Sequence, residues 1–408
     1  MRVRPLSSLA RDLVRARRGG AFGARERETA EEIVRDVRRG GDGAVLRNVR
    51  RFDRPAARAR DLVVDATALR HAARACPPDV RRSLDLAYAR IRAFHERQRP
   101  NGPARRDANG EVRLVPVAIE RVGALVPRGV AAYPSTALMT GVPSQIAGVR
   151  TFVVASPMPR DGSIDPALAY ALELVDATTL YRAGGAAAVA ALAYGTRSIE
   201  RVDKIVGPGN AYATAAKWLV SADVGIDALQ GPSELVIVAS RGADADTLAL
   251  DLRAQAEHGS GAFAALISDD GRLLRGLGRR LGASARIALY RAPDIRAAVV
   301  AADGAAPEHV LLAGRDAVAH AAHVRRAGAL FVGARSAVAF GDYVAGSNHS
   351  LPTGGTARWA SALRVDDFVR WTSRVALRGD LGDLARAGAT IARHEGMTYH
   401  AASMEARA

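Results

Sequence analysis

Apolar positions along this chain first recur at helical spacing. Leu6, Leu9, Leu13 and Val14 follow that period between residues 5 and 18 and predict a short basic arm. A second helix fits Glu26 to Arg39, stopped by Gly40-Gly41. A longer one runs from Pro78, well suited to a first helical turn, to His95, with Leu84, Leu86, Ile91 and Phe94 roughly periodic. Residues 98–112 are polar and rich in turn formers, which predicts a loop. From about residue 122 the texture changes, and short β-branched runs alternate with alanine-rich helical stretches. The runs include Thr151-Phe152-Val153-Val154, Lys204-Ile205-Val206, Glu234-Leu235-Val236-Ile237-Val238 and Ala329-Leu330-Phe331-Val332. Helices are expected near 166–176, 186–193, 211–221, 244–257 and 316–326. This alternation predicts an α/β protein with parallel sheets and crossover helices, in which ligands collect at the carboxyl ends of strands. The stretch from about 364, including Val365 to Trp371 and then 380–407, is expected to be helical again.

Composition narrows the class. The 408 residues suffice for two or three domains, and no apolar run reaches membrane-spanning length, so a globular protein without a membrane partner is expected. The start, Met1-Arg2-Val3-Arg4-Pro5, lacks the apolar stretch of a secretory signal and points to the cytoplasm. A single cysteine, Cys76, excludes an intramolecular disulfide and a cysteine-rich zinc site, so a metal would need His, carboxylate or amide ligands. The net charge of +16 raises a nucleic-acid reading. Against it, the basic residues are almost all arginines scattered along the chain, and aromatics are only 5%, leaving few stacking platforms.

Several short constellations could carry chemistry. Gln255 and His258 stand three apart near the end of a predicted helix, so an amide oxygen and an imidazole could hold two corners of one divalent ion. An exposed glutamine beside an ordinary histidine is the alternative. Gly207-Pro208-Gly209-Asn210 follows a strand and precedes a helix, as a ligand-approaching loop or a plain tight turn would. Ala306-Pro307-Glu308-His309 sets a carboxylate beside an imidazole at the start of an apolar run. Adjacent strand residues point opposite ways, so the two would serve different steps: His309 as general base, Glu308 acting on a water. A surface Glu-His pair is the plainer reading. Asp342 and His349 fall in a glycine-punctuated loop, Asp342 as a metal ligand or a cap and His349 against substrate. Glu395 and His400 lie five apart and reach one site only if the chain bends, which Gly396 permits.

Taken together, these motifs resemble the histidinol dehydrogenase family over nearly the full length. The resemblance runs from Arg50-Arg51-Phe52-Asp53 and Phe94-His95-Glu96 through Ala193-Tyr194-Gly195-Thr196 and Val202 to Asn210. It continues through Gly231-Pro232-Ser233-Glu234, Gln255 to His258, Ala306 to His309, Gly341-Asp342-Tyr343 and Asn348 to Thr353, and ends with Glu395 to His400. It implies a zinc ion held by Gln255, His258, Asp342 and His400, with Glu308 and His309 catalytic and Ser233, His349 and Glu395 on the substrate. It also implies two NAD molecules used in turn, and an intertwined homodimer in which one chain's tail completes the other's site. The substrate class would be a small amino alcohol, L-histidinol, oxidised through the aldehyde to L-histidine. The fold would comprise two incomplete Rossmann-like domains: 21–124 with 233–363 for zinc and catalysis, and 125–232 for NAD. An arm at 1–20 and a helical tail at 364–408 would complete the chain.

The cofactor positions depart from that pattern. Asn210 is kept, but Leu125 replaces a tyrosine, Ala187 replaces a glutamine, and Arg128 stands where a glycine is usual. Weaker NAD binding, a shifted cofactor pose or preference in which Arg128 meets a phosphate, and a paralogue acting on another amino alcohol or hydroxylated metabolite all fit these changes. A basic nucleic-acid-binding protein without activity is the alternative from another class.

Overall fold

In a computed structural model, residues 1–17, 20–129, 132–259 and 261–408 are described. Arg18, the last residue of the expected arm, lies outside them. Two compact units emerge: Met1–Gln98 with Ile119–Phe368, and Arg99–Ala118 with Val369–Ala408.

The β-branched runs of the first unit build two six-stranded sheets. One has the order Val63–Asp65, Thr179–Tyr181, Thr151–Ala155, Arg121–Leu125, Lys204–Val206, Gly225–Ile226, parallel except for its first pairing. The other is wholly parallel: Val3–Pro5, Ile287–Arg291, Phe263–Ser268, Glu234–Ala239, His309–Ala313, Ala329–Val332. Its central strand Glu234–Ala239 is buried at every position, as a parallel strand covered by helices on both faces requires. Each such Leu, Ile or Val contributes about 1.5–3 kcal/mol on burial.

The first sheet is covered on one side by the helix Ala24–Phe52 packed with Gly185–Tyr194 and Ala211–Val220. Its other side carries Pro78–Glu96, Pro134–Ala147 and Pro166–Leu174. Thus residues 24–96 pack with the 121–226 sheet, whereas the expected division joined 21–124 to 233–363. The reason is direct: Val63–Asp65 pairs with Thr179–Tyr181, and the flanking helices share that sheet's core. The amino-terminal residues Val3–Pro5 are a strand of the second sheet.

Other expectations shift locally. The glycine stop at 40–41 appears as non-helical backbone at Gly41, after which the helix resumes to Phe52. The helix expected over 316–326 shortens to Arg315–Val318 and a 3-10 turn, Ala321–His323. Farther along, Asp303 accepts hydrogen bonds from the backbone N–H groups of Arg325 and Arg326 and draws that segment away from helical geometry. In the second unit, residues 98–112 are not simply a loop. Ala104–Asp107 and Gly110–Ala118 form a hairpin, and its long strand pairs antiparallel with Val369–Leu377. Val365–Phe368 is a 3-10 turn, so the helical reading of 365–371 holds only for its first half; from Val369, the residues Val369, Trp371, Thr372 and Val375 favour a strand. The helices Gly382–His394 and Thr398–Glu405 follow, packed through Ala389, Ala392 and Ala401. The bend between them falls at Gly396, whose φ of +77° a side chain would resist.

Candidate active site

Buried Glu234, Glu308 and His309 gather at the amino ends of the adjacent strands Glu234–Ala239 and His309–Ala313 of the second sheet, not at the carboxyl ends anticipated for such folds. Leu235 is in register with His309, which sets Ser233 and Glu234 beside Glu308 and His309. Glu308 just precedes its strand, so its side chain is not held opposite that of His309, and the two approach: His309 Nδ1 lies 3.4 Å from Glu308 Oε2. The sequence reading that the pair would point apart is therefore corrected. Ser233 Oγ donates to Glu308, as does the backbone N–H of Glu234 at 3.0 Å. The backbone carbonyl of Glu234 lies 3.2 Å from His309 Nδ1.

These contacts decide the charges. Burial alone would raise the Glu308 carboxyl, but the His309 charge and the bonds from His309, Ser233 and Glu234 outweigh it and hold the group below its usual range. Burial would lower His309, yet Glu308 and Asp342 together raise it. His349 goes the other way: burial holds it below its usual value despite Asp342 and Glu308. His309 thus has Nδ1 directed at the Glu308 carboxylate and the Glu234 carbonyl, which leaves Nε2 for proton transfer.

One residue that sequence spacing did not single out supports the pair. Arg17, from the amino-terminal arm, donates to both carboxylate oxygens of Glu234, at 2.6 and 2.8 Å, and to the Ala305 carbonyl at 3.0 Å. Glu234 is buried, and its backbone holds both Glu308 and His309. No periodicity or local motif marks Arg17, because its partner lies 217 residues away.

Gln255 is buried, and its amide nitrogen donates to Ser233 Oγ at 2.8 Å, so only its amide oxygen could serve as a ligand. The helix Ala245–Ala256 ends before His258, which continues as a turn with its N–H on the Gln255 carbonyl at 3.3 Å. His258 is exposed. The two are still one turn apart, through a helix end rather than a helix face. Asp342 lies on the short helix Val338–Tyr343, not in a loop, and its backbone carbonyl meets His349 Nδ1 at 2.9 Å. His349 Nε2 lies 3.3 Å from Thr136 Oγ1, near the start of the helix that follows the first sheet's strand Arg121–Leu125. His349 therefore bridges the amino edge of one sheet and the carboxyl edge of the other. Glu395 and His400 lie in the second unit, at the end of one helix and within the next, both exposed. Among the described residues no group of three or more His, Cys, Asp and Glu side chains is placed to hold a metal.

The donors that Gln255, His258 and Asp342 could offer, an amide oxygen, an imidazole nitrogen and a carboxylate, are of the types zinc accepts.

At the first sheet the strand order reverses between Arg121–Leu125 and Lys204–Val206, where open α/β sheets receive nucleotides. The loop Gly207 to Asn210 closes this crevice. Gly207 has φ +94°, and a Cβ there would stand 2.5 Å from the Leu125 carbonyl oxygen, so only glycine fits. Its N–H donates to Asp227 at 2.8 Å and its carbonyl accepts from the buried Lys217 at 3.1 Å; Lys217 and Asp227 also pair with each other. Asn210 caps the helix Ala211–Val220 through the Ala213 N–H at 3.0 Å. Leu125 and Ala187 are buried in one apolar cluster and present no polar group. Arg128 is partly exposed and lines a cleft with Ser156 and Arg182. The crevice, with its close backbone approach and helix amino end, suits a dinucleotide.

Known proteins bear directly on this arrangement. Residues 17–408 match the family model described as histidinol dehydrogenase. The chain is 42% identical over 414 residues to the histidinol dehydrogenase of Bradyrhizobium diazoefficiens, covering 96% of each chain. It is also 42% identical over 398 residues to that of a Synechococcus strain, covering 93% of this chain and 91% of the relative. The crystal structure of histidinol dehydrogenase from Elizabethkingia anophelis superposes with a TM-score of 0.86 at 28% identity, covering 93% of this chain and 91% of that one. With a matching model over almost all its length and relatives this similar, the chain belongs to the histidinol dehydrogenase family of oxidoreductases.

Proposed function

We propose that this chain oxidises L-histidinol through L-histidinal to L-histidine, using zinc and NAD. The observation that carries the reading is the buried Glu308–His309 pair, bonded through Ser233 to Gln255. Gln255, His258 and Asp342 would hold zinc, with His400 of a second copy as the fourth ligand. When bound, zinc would anchor the substrate's nitrogens and NAD would accept a hydride in each of two oxidations. His309 takes the alcohol proton through Nε2 in the first step. Glu308 assists water addition to the aldehyde in the second, and Ser233 orients its carboxylate. His349 and Glu395 position the substrate. Burial of the pair keeps water from competing with the reacting groups.

Glu395 and His400 are both exposed, which supports their serving a site on a second copy. In this reading the active unit is a homodimer, and Glu395 and His400 of one copy complete the site of the other. The decisive measurement combines zinc content with NADH and histidine formed by the purified protein: two NADH per histidine are expected. Loss of histidinol oxidation with activity retained on another amino alcohol would overturn the substrate assignment. For the dimer, inactive His258→Ala and His400→Ala proteins are mixed and allowed to exchange subunits; activity should return, and its absence would sink the shared site.

A further inference from the structure

Two residues before the catalytic pair, the backbone takes a shape that alanine resists. Ala306 is buried with φ +46° and ψ +54°, in the left-handed region. Among the described residues only Asp176 shares a positive φ outside glycine. Aspartate visits that region comparatively readily, whereas the alanine Cβ crowds the backbone there, so the turn at Ala306 stores strain. It ends the helix Ile295–Ala305, and the next residue, Pro307, bars the helix from continuing. Glu308 and His309 follow at once, so the torsion at Ala306 sets where the Glu308 carboxylate falls.

Strain of this kind persists only where the surroundings over-determine it. Here each residue of the helix end is tied. Asp303 accepts from the Arg325 and Arg326 N–H groups and from the Arg326 guanidinium. Arg358 donates to the Gly304 carbonyl. Arg17 Nη2 donates to the Ala305 carbonyl at 3.0 Å, and the same guanidinium holds the Glu234 carboxylate through Nε and Nη2. Glu234 in turn presents its backbone N–H to Glu308 and its carbonyl to His309. One guanidinium therefore joins the strained turn to the neighbouring strand, the two sides between which the catalytic pair is held. We infer that Arg17 is a positioning residue: it holds Ala306 in its left-handed turn and so keeps the Glu308 carboxylate on His309. The inference rests on the reading of Glu308 and His309 as the catalytic pair.

The test separates position from stability in the full-length protein. Arg17→Met should lower kcat on histidinol about tenfold or more and change KM far less, since a misplaced group acts on the reacting atoms. Arg17→Met/Glu234→Gln, which also removes the unpaired buried charge, should unfold at a higher denaturant concentration than Arg17→Met yet keep the low kcat. Adding Ala306→Gly to that pair should raise kcat severalfold, because glycine holds this φ without strain. Crystal structures give a readout that needs no turnover: in the double variant Ala306 should leave the left-handed region and Glu308 should part from His309. A kcat that stays at the wild-type level, or that recovers with stability in the double variant, overturns the positioning role. So does an unmoved turn, or no gain from Ala306→Gly. Should the wild-type protein form no NADH from histidinol while the turn moves as expected, the substrate reading falls and the positioning role stands.

Discussion

The amino edge of the second sheet and the carboxyl edge of the first meet through His349, yet they are built on opposite plans. At the catalytic edge nearly every charge has an internal partner: Arg17 with Glu234, Glu308 with His309, and Ser233 between Glu308 and Gln255. At the edge proposed for the cofactor the walls are apolar at Leu125 and Ala187, and the backbone at Gly207 makes the shape. The first edge is preorganised before anything binds. The second offers shape rather than fixed charge. Charge placed where a reaction develops it must be fixed in advance, whereas an apolar wall needs only fit.

The largest test of that contrast is removal of the catalytic pair. Glu308→Ala or His309→Ala should each lower kcat by about 10²–10⁴-fold, measured as NADH formation with histidinol. Because Glu308 and Asp342 raise His309, its base form is lost on acidification at a higher pH than for an ordinary histidine. The residual rate of Glu308→Gln should therefore have its acid limb moved to lower pH; an unmoved limb would separate His309 from the rate.

Next comes Arg17→Met, which leaves Glu234 buried and unpaired. It should destabilise the protein by about 3 kcal/mol in denaturant unfolding, and the conservative Arg17→Lys should restore only part of that, since Lys lacks the two-pronged fit. Full stability of Arg17→Met would mean the catalytic edge does not depend on the arm.

Gly207→Ala tests the other edge. It forces a side chain at φ +94° against the Leu125 carbonyl, costing about 1–3 kcal/mol, and should weaken dinucleotide binding more than it slows the chemical step. An unchanged affinity for NAD would remove the loop from the crevice.

The smallest expected effect lies beneath the cofactor edge, at Asp53. Burial pushes its carboxyl up to about 6, with only the Met158 N–H, at 3.4 Å, opposing. A raised folded value means that the folded state binds its proton more readily than the unfolded chain. Stability from this group is therefore lost as pH rises from about 4 to about 6. Asp53→Asn should flatten that slope in thermal unfolding and raise stability at neutral pH. A slope unchanged by the substitution would show that burial does not govern this carboxyl.

Much of the architecture was legible from residue pattern because burial on both faces demands apolar runs. Thr151–Ala155, Lys204–Val206, Glu234–Ala239 and the less buried Ala329–Val332 are strands where such runs occur, and the helices Pro166–Leu174, Gly185–Tyr194, Ala211–Val220 and Ala245–Ala256 fall within a few residues of expectation, whereas Gly271–Leu281 and Ile295–Ala305 were not anticipated. The second unit was less legible. Its strand Val369–Leu377 is exposed along almost its whole length, so no burial pattern marks it, and its partner Gly110–Ala118 lies hundreds of residues away.

The sequence by itself determined the family and the alternation of strand and helix, and it named Glu308, His309, Gln255, His258 and Asp342 as candidates, because local residue order carries these. Only the tertiary structure decided that Glu308 and His309 approach each other and that Arg17 supports them from the far end of the chain. Those outcomes depend on strand register and on which sheet each segment joins. Pairing between distant segments sets both, through hydrogen bonds and packing that no stretch of sequence contains alone.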